Sequence, residues 1–143
     1  MDLYREEILE HWQNPSNWGG MKDAHLVVHQ VNPLCGDKVT FYFRFLTSGN
    51  AYSRSEHGDR IISDVSFTGN GCAISIASAS ILSENIKNKT LNDVRSLEGD
   101  DVLKMIGSSK DNFPPARLKC VFLGLEALRR IRLTQRRQAQ GKL

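Results

Sequence analysis

Three cysteines and one aspartate are the side chains of this sequence best suited to bind a metal ion. Cys35 and Asp37 lie in the turn-like segment 32–37, whereas Cys72 and Cys120 come much later in the chain. Thiolate sulfur selects Zn²⁺, Cu⁺ or iron-sulfur clusters over Mg²⁺ and Ca²⁺, and Zn²⁺ also accepts a carboxylate oxygen. These residue types therefore allow a soft-metal site with sulfur and oxygen ligands.

Each cysteine is predicted to lie at the end of a secondary-structure element, where side chains can converge. Cys35 is expected in a turn between two strands, Cys72 at a strand-to-helix junction, and Cys120 in the second turn of the final helix. Gly36 gives the first turn the freedom to present Cys35 and Asp37 to one ion. The amides at a helix N-terminus would favour a thiolate at Cys72.

The spacing alone leaves a second interpretation open. A free cysteine is often a small buried hydrophobe, and Asn-Pro-x-x-Gly-Asp is a common kind of turn sequence. No two of the cysteines have the Cys-x-x-Cys spacing of many zinc sites. The histidines are expected to be surface or packing residues and not ligands; they are His11, His25, His29 and His57.

The hydrophobic pattern predicts an α+β domain with a three-stranded antiparallel sheet packed against helices. A short amphipathic helix is predicted over 2–12, and strands over 25–31, 38–45 and 61–68, with loops at 49–50 and 53–58. The second strand places Val39, Phe41, Phe43 and Phe45 on one face. The third is predicted to place Ile61, Ser63, Val65 and Phe67 on one face.

The later part of the chain has a helical period. Helices are predicted over 73–87, after Thr90 with a capping-box-like start, and over 100–105, with a loop at 107–112. Pro114-Pro115 then opens one last helix, because proline suits a first turn. Its apolar stripe consists of Leu118, Phe122, Leu125, Leu128 and Ile131. The helices are expected over one face of the sheet.

Composition limits the classes of protein to consider. A length of 143 residues with 40% hydrophobic and 24% charged residues predicts one domain over 1–143. Three cysteines are too few for a disulfide scaffold, and no stretch is apolar enough for a membrane span, so a cytoplasmic protein without a membrane partner is expected. Eight Lys or Arg from residue 117 onward are interpreted as a solvated last helix and not as a nucleic-acid surface.

Three ordered segments resemble the cysteine motifs of the U-type iron-sulfur cluster assembly scaffolds, a family that includes the IscU-like, SufU-like and NifU N-terminal-like proteins. The segments are Asn32-Pro33-x-Cys35-Gly36-Asp37, Gly69-x-Gly71-Cys72-x-Ile74-Ser75-x-Ala77-Ser78-Ala79-Ser80 and Pro115-Ala116-Arg117-x-Lys119-Cys120. The resemblance implies a SufE/NifU-like fold. It also implies that Cys35, Asp37, Cys72 and Cys120 hold a nascent cluster, expected to be 2Fe-2S, or a zinc ion at one exposed end.

The resemblance is nearer to the SufU-like branch. Lys119 precedes the third cysteine where the IscU-like branch has histidine, and the segment 96–112 is of the kind enlarged in SufU-like members. The segment FPPARLKC departs from the LPPVKLHC of the IscU-like branch, part of which a dedicated Hsp70-type chaperone recognises. That chaperone is therefore not expected as a partner.

The resemblance implies a scaffold that receives sulfur from a cysteine desulfurase, assembles iron-sulfur clusters and passes them to acceptor apo-proteins. Two alternatives remain: a zinc-dependent sulfur acceptor that relays persulfide sulfur through Cys35 or Cys120, and an adaptor whose zinc is structural. A carboxylate ligand at Asp37 would leave one exchangeable corner on a cluster, as release requires. No nucleotide-binding or other catalytic motif occurs, so independent turnover is not expected.

Overall fold

The structure, a computed structural model, describes residues 3–33, 36–48, 51–52 and 60–131. Cys35, His57 and the predicted loops at 49–50 and 53–58 lie outside these ranges. The described strands are Leu26–Val31 (β1), Lys38–Phe45 (β2), Thr47–Ser48 (β3), Ala51–Tyr52 (β4) and Ile62–Asn70 (β5). The described helices are Leu3–Gln13 (α1), Ala73–Ile86 (α2), Leu91–Arg95 (α3), Gly99–Ile106 (α4), Pro115–Val121 (α5) and Leu123–Arg129 (α6), with a 3₁₀ turn at Lys110–Asn112.

The predicted three-stranded antiparallel sheet is confirmed, with strand order β1-β2-β5. Along β2, every second residue is buried, as its alternating sequence requires. Phe41 pairs with Val28 on one side and Phe67 on the other, so apolar side chains align across all three strands. This face is the floor of the hydrophobic core, and α2 and α6 cover it. The small β3-β4 hairpin, which pairs Thr47 with Tyr52, was not predicted.

The predicted alternation of β5 is wrong at its first residues. Ile62 is fully buried together with Val65 and Phe67, whereas Ile61 is partly exposed. The cause is a register shift opposite Arg44 and Phe45, where β5 contains one extra residue. Such a bulge changes the face on which the following side chains lie, and sequence alternation alone does not reveal it.

The predicted single last helix is two helices, α5 and α6, separated at Phe122, whose backbone angles are φ −92° and ψ 2°. Phe122 packs against Gly99 at the start of α4. The break gives the two helices different neighbours, because α5 contacts α2 whereas α6 also contacts β1 and β2. It thereby sets the position of Cys120, which α5 carries. Within the described ranges, no helix is long and apolar enough to cross a membrane.

Candidate metal centre

Asp37 is placed by a closed turn in front of β2. The backbone N–H of Asn32 donates to the carbonyl of Asp37, and that of Gly36 donates to the carbonyl of Asn32, both at 2.8 Å. Gly36 has φ +76°, in the left-handed region where glycine is the default residue. The predicted turn therefore exists in its described residues. Cys35 stands between Asn32 and Asp37 in the sequence but lies outside the described residues.

Cys72 is placed by the junction between β5 and α2. It is the N-cap residue of α2, with an extended backbone at φ −72° and ψ 168°, as the predicted junction requires. A Cβ on the preceding Gly71 would lie 2.8 Å from Cγ of Asp37 and 3.0 Å from its Cβ. Real Cβ atoms do not approach so closely, so the junction reaches the carboxylate only because residue 71 is glycine.

Cys120 is brought to the same place by α5, which packs against α2. Its sulfur lies 3.9 Å from the carbonyl oxygen of Ala116, one turn earlier. The ligand atoms of Asp37, Cys72 and Cys120 all lie within 4.8 Å of one another. We call these three residues the ligand cluster. The fourth expected ligand, Cys35, is not described, so the four-ligand set stays a prediction.

The donor atoms of the ligand cluster fit zinc or an iron-sulfur cluster. With Zn–S bonds of about 2.3 Å, two sulfurs of a tetrahedral site are roughly 3.8 Å apart. The observed separations are at most 4.8 Å, so small side-chain adjustments would bring the ligands to one ion. Two thiols with one carboxylate also match the soft and borderline metals.

Two of the three cluster residues are buried, whereas the resemblance implies a site at one exposed end. Asp37 is 8% and Cys120 4% exposed, whereas Cys72 is partly exposed. Asp37 lies against Gly71, and Cys120 lies on the buried side of α5. Among the described residues, the cluster is therefore approached from the side of Cys72.

Groups that become anionic when they ionise lie side by side in this cluster. Burial, then a hydrogen bond with Cys72 and the charges of Cys72 and Asp37, raise the pKa of Cys120 to about 11, while the Ser75 hydroxyl acts in the opposite direction. The protein alone therefore disfavours a Cys120 thiolate. A bound cation would reverse this balance, because it is the largest local charge in such a site.

Ser75 is a member of the site that the sequence analysis missed as a functional residue. Its hydroxyl donates to Oδ2 of Asp37 at 2.6 Å, and its oxygen lies 3.5 Å from the sulfur of Cys72. The one available signal was its position three residues after Cys72, on the same helix face. Its contact with Asp37 spans 38 positions and is set by the tertiary fold.

The histidines in the described part of the chain make hydrogen bonds, and none of them belongs to the ligand cluster. Their Nδ1 atoms contact Ser80 Oγ at 2.7 Å for His11, Phe45 N at 2.9 Å for His25, and Thr40 Oγ1 at 2.8 Å for His29. His57 lies outside the described residues.

Comparison with known proteins gives consistent relatives over most of the chain. The family described as the NifU-like N-terminal domain matches residues 3–139. The zinc-dependent sulfurtransferase SufU of Bacillus subtilis is 34% identical, with 88% of this chain and 86% of that protein covered. The iron-sulfur cluster assembly scaffold protein IscU 1 of Archaeoglobus fulgidus is 32% identical over 128 residues, covering 90% of this chain and 73% of that protein.

Solved structures agree with this assignment. The putative scaffold protein for the SUF system from Fervidobacterium islandicum superposes with a TM-score of 0.61 at 28% identity, covering 86% of this chain and 91% of that one. The NifU-like protein (N-terminal) from Brucella abortus has a TM-score of 0.68 at 22% identity, covering 99% and 96%, and shows the shared fold. The predicted resemblance is confirmed, and the chain belongs to the NifU-like N-terminal domain family.

Proposed function

We propose that this chain is a scaffold on which an iron-sulfur cluster is assembled and from which it is passed to apo-proteins. The observation that carries the proposal is the convergence of Asp37, Cys72 and Cys120 from three separate elements onto one small volume. Cys35 is the proposed fourth ligand, since it stands two positions before Asp37 in the motif that the family shares. A cysteine desulfurase is the proposed source of sulfur.

A ligand set of both sulfur and oxygen atoms suits a cluster that must be released to another protein. Clusters that stay in place are commonly held by four thiolates, whereas a carboxylate is a harder and weaker ligand for sulfur-rich iron. Asp37 would therefore be the corner at which an acceptor thiol enters. We propose 2Fe-2S as the cargo, which is the cluster type that the resemblance implies. The same residues would hold zinc, which would stabilise their thiolate forms.

The test is anaerobic reconstitution with ferrous iron, cysteine and a cysteine desulfurase. The wild-type chain should gain the visible absorption of an iron-sulfur cluster and then convert an apo-ferredoxin to its holo form. Cys72→Ser and Cys120→Ser should lose this ability. Ser78→Ala is a matched control outside the ligand cluster and should keep it. A desulfurase that turns over while the wild-type chain gains no cluster would contradict the proposal.

A second candidate, a zinc-dependent sulfur acceptor, is favoured by Lys119 in place of the histidine of the IscU-like branch. The similarity to a relative named a zinc-dependent sulfurtransferase supports it too. In the sulfur-transfer step, a thiolate of this chain attacks the terminal sulfur of the desulfurase's cysteine persulfide. A new S–S bond forms on this chain, and the desulfurase cysteine leaves as a thiolate.

Burial counts against one of the two proposed acceptors of persulfide sulfur. Cys120 is 4% exposed, which hinders attack on a sulfur carried by another protein. We therefore propose Cys35 as the acceptor. Mass spectrometry after incubation with desulfurase and cysteine should find the mass of one added sulfur on a peptide that contains Cys35. A zinc-loaded chain that stimulates the desulfurase but never gains a cluster would favour this second function over the first.

The proposals on the cellular compartment and on the chaperone partner both come from the sequence. Three cysteines without a disulfide scaffold suit a reducing cytoplasm. The Hsp70-type chaperone of the IscU-like branch is left out of the proposed partners, because FPPARLKC departs from the recognised segment. In addition, the side chain of Phe113 at the start of this segment is 7% exposed and packs in the core.

A further inference from the structure

We propose that Ser75 is a positioning residue that holds the Asp37 carboxylate in the orientation needed to bind a metal ion. This inference rests on the metal-binding part of the proposed function. It adds a residue that does not touch the metal and acts through one that does. The geometry around Asp37 carries it.

The hydrogen bond from Ser75 to Asp37 is short and shielded from water. Ser75 Oγ lies 2.6 Å from Oδ2 of Asp37, and the two residues are 4% and 8% exposed. Hydroxyl-to-carboxylate bonds in this distance range are charge-assisted and about twice as strong as neutral ones. The bond therefore restricts the rotation of the carboxylate about its Cβ–Cγ bond.

Two further contacts act on the same carboxylate. The backbone N–H of Cys72 points to Oδ2 at 3.4 Å, a long and weak bond to the oxygen that Ser75 already holds. Gly71 lies against Cγ and Cβ of Asp37, which limits movement toward the β5–α2 junction. A carboxylate has about four acceptor positions, so holding Oδ2 is compatible with metal coordination by the same group.

The distances indicate that Ser75 acts mainly through Asp37 and less through the thiols. A hydroxyl has one proton to donate, and its carboxylate partner at 2.6 Å is much nearer than the Cys72 sulfur at 3.5 Å. Ser75 belongs to the first turn of α2, while Asp37 precedes β2. The bond thus fixes the carboxylate relative to the helix whose N-cap residue is Cys72.

The test compares two serine-to-alanine substitutions on one helix. Ser75→Ala removes the hydroxyl that holds Asp37. Ser78→Ala is the matched control, because Ser78 is 2% exposed and its hydroxyl has no hydrogen-bond partner in the described part of the chain. The probes are Zn²⁺, with affinity measured by competition with a chromophoric chelator, and Co²⁺, whose absorption spectrum reports ligand geometry.

We expect Ser75→Ala to bind Zn²⁺ about tenfold or more weakly than the wild type, which is the usual cost of losing a group that orients a metal ligand. Its Co²⁺ spectrum should also change. Ser78→Ala should stay within about threefold of the wild type, and Ser75→Thr, which keeps the hydroxyl, should do the same. In an Asp37→Ala background, adding Ser75→Ala should change the affinity by less than about threefold, because its target is gone.

The outcomes separate this inference from the proposed function. If Ser75→Ala binds zinc like Ser78→Ala, or costs tenfold even without the Asp37 carboxylate, the inference is overturned while the scaffold proposal stands. A wild-type chain that binds neither zinc nor a cluster overturns the proposed function, and the inference with it. If Ser75→Ala does not fold, Ser75→Thr decides: a folded variant with wild-type affinity supports the inference, and a tenfold loss overturns it.

Discussion

Two clusters of polar side chains lie along α2, and they differ in how their polar groups are paired. The serine network, formed by His11, Ser16, Ser80 and Glu84, joins α1 and the following loop to the middle of α2. Ser80 Oγ lies 2.7 Å from both His11 Nδ1 and the backbone N of Ser16, and Ser16 Oγ donates to Glu84 at 2.8 Å. His11 Nε2 also lies 3.6 Å from Glu84. In this network, hydrogen-bond donors are paired with acceptors.

The ligand cluster at the start of α2 gathers groups of one kind instead. Its carboxylate and two thiols become anionic when ionised, and Cys72 and Asp37 both disfavour ionisation of Cys120. A complete hydrogen-bond network stabilises the fold by itself, whereas groups that repel one another when they ionise are suited to bind a cation. This difference indicates which of the two polar clusters is suited to bind a ligand. The predictions below test it.

Zinc removal should give the largest effect. A metal that binds only the native state stabilises it by about 4 kcal/mol when free metal is about 1,000 times the dissociation constant. Chelation should then lower the melting temperature of the zinc-loaded chain by on the order of 10 °C, measured by circular dichroism. Cys72→Ser is the control, since a chelator should barely change its melting temperature. An unchanged melting temperature after verified removal would contradict a stabilising metal.

Gly71→Ala should disturb the ligand cluster next most strongly. The added Cβ would meet Asp37 Cγ at 2.8 Å, so the carboxylate or the β5–α2 junction must move. Overpacking of this kind costs about 1–3 kcal/mol, and zinc affinity should fall with it. Gly20→Ala is the matched control, because its Cβ would meet the Tyr42 ring at an ordinary 3.8 Å. Urea unfolding and zinc titration of both variants check the difference; equal behaviour would refute the close approach.

Asp37→Ala should slow cluster release about tenfold, roughly 1.4 kcal/mol in activation free energy, because it removes the exchangeable ligand. The measurement is transfer from anaerobically reconstituted protein to an apo-ferredoxin, with folding checked separately. Asp37→Asn keeps an oxygen acceptor but loses the charge, so its zinc affinity should drop. If transfer rate and zinc affinity are unchanged in both folded variants, Asp37 is a turn residue only.

Ser80→Ala should weaken the fold without affecting the metal. It leaves His11 Nδ1 and the Ser16 N–H without a shared partner, at a cost of about 1 kcal/mol in the free energy of unfolding. Ser78→Ala, on the same helix, should be neutral or slightly stabilising, because it removes a buried hydroxyl that lacks a partner in the described residues. Zinc affinity should match the wild type in both. A loss of zinc affinity in Ser80→Ala would mean that the two clusters are coupled.

The local sequence pattern predicted those features that are determined by residues close together in the chain. The alternation of β2 identified the core face because one side of that strand is buried, and Gly36 identified a turn that needs a positive φ. The resemblance to the family motifs predicted that Asp37, Cys72 and Cys120 belong to one site, which their spacing alone could not show. The face of Ile62 was missed because a bulge depends on the partner strand.

The rest of the candidate site depended on tertiary distances. Ser75 could be placed on the helix face of Cys72, but its bond to Asp37 exists only because the start of β2 lies beside the first turn of α2. The burial of Cys120 likewise depends on the packing of α5 against α2. Neither the Ser75–Asp37 bond nor the burial of Cys120 produces a periodic pattern in the sequence, so the sequence could not predict them.

The smallest predicted effect is a pH dependence at His25, a third polar site that the protein completes by itself. Burial, with Arg44 and then Arg60, lowers the pKa of His25, against an opposing effect of Asp23. Nδ1 accepts the N–H of Phe45 at 2.9 Å, which requires that nitrogen to be unprotonated. The folded state therefore binds a proton less readily than the unfolded state.

The sign of the effect follows from linkage. Because the unfolded chain takes up the proton first, His25 contributes stability above its unfolded pKa of about 6.5, and this contribution is lost as the pH falls toward the lower folded pKa. His25→Asn supplies an oxygen that can accept the Phe45 N–H but does not titrate. Urea unfolding between about pH 7.5 and pH 5.5 should show the wild type losing more stability than His25→Asn over that window. Parallel curves for the two proteins would mean that His25 is not held neutral by its surroundings, and that this site is less complete than the serine network.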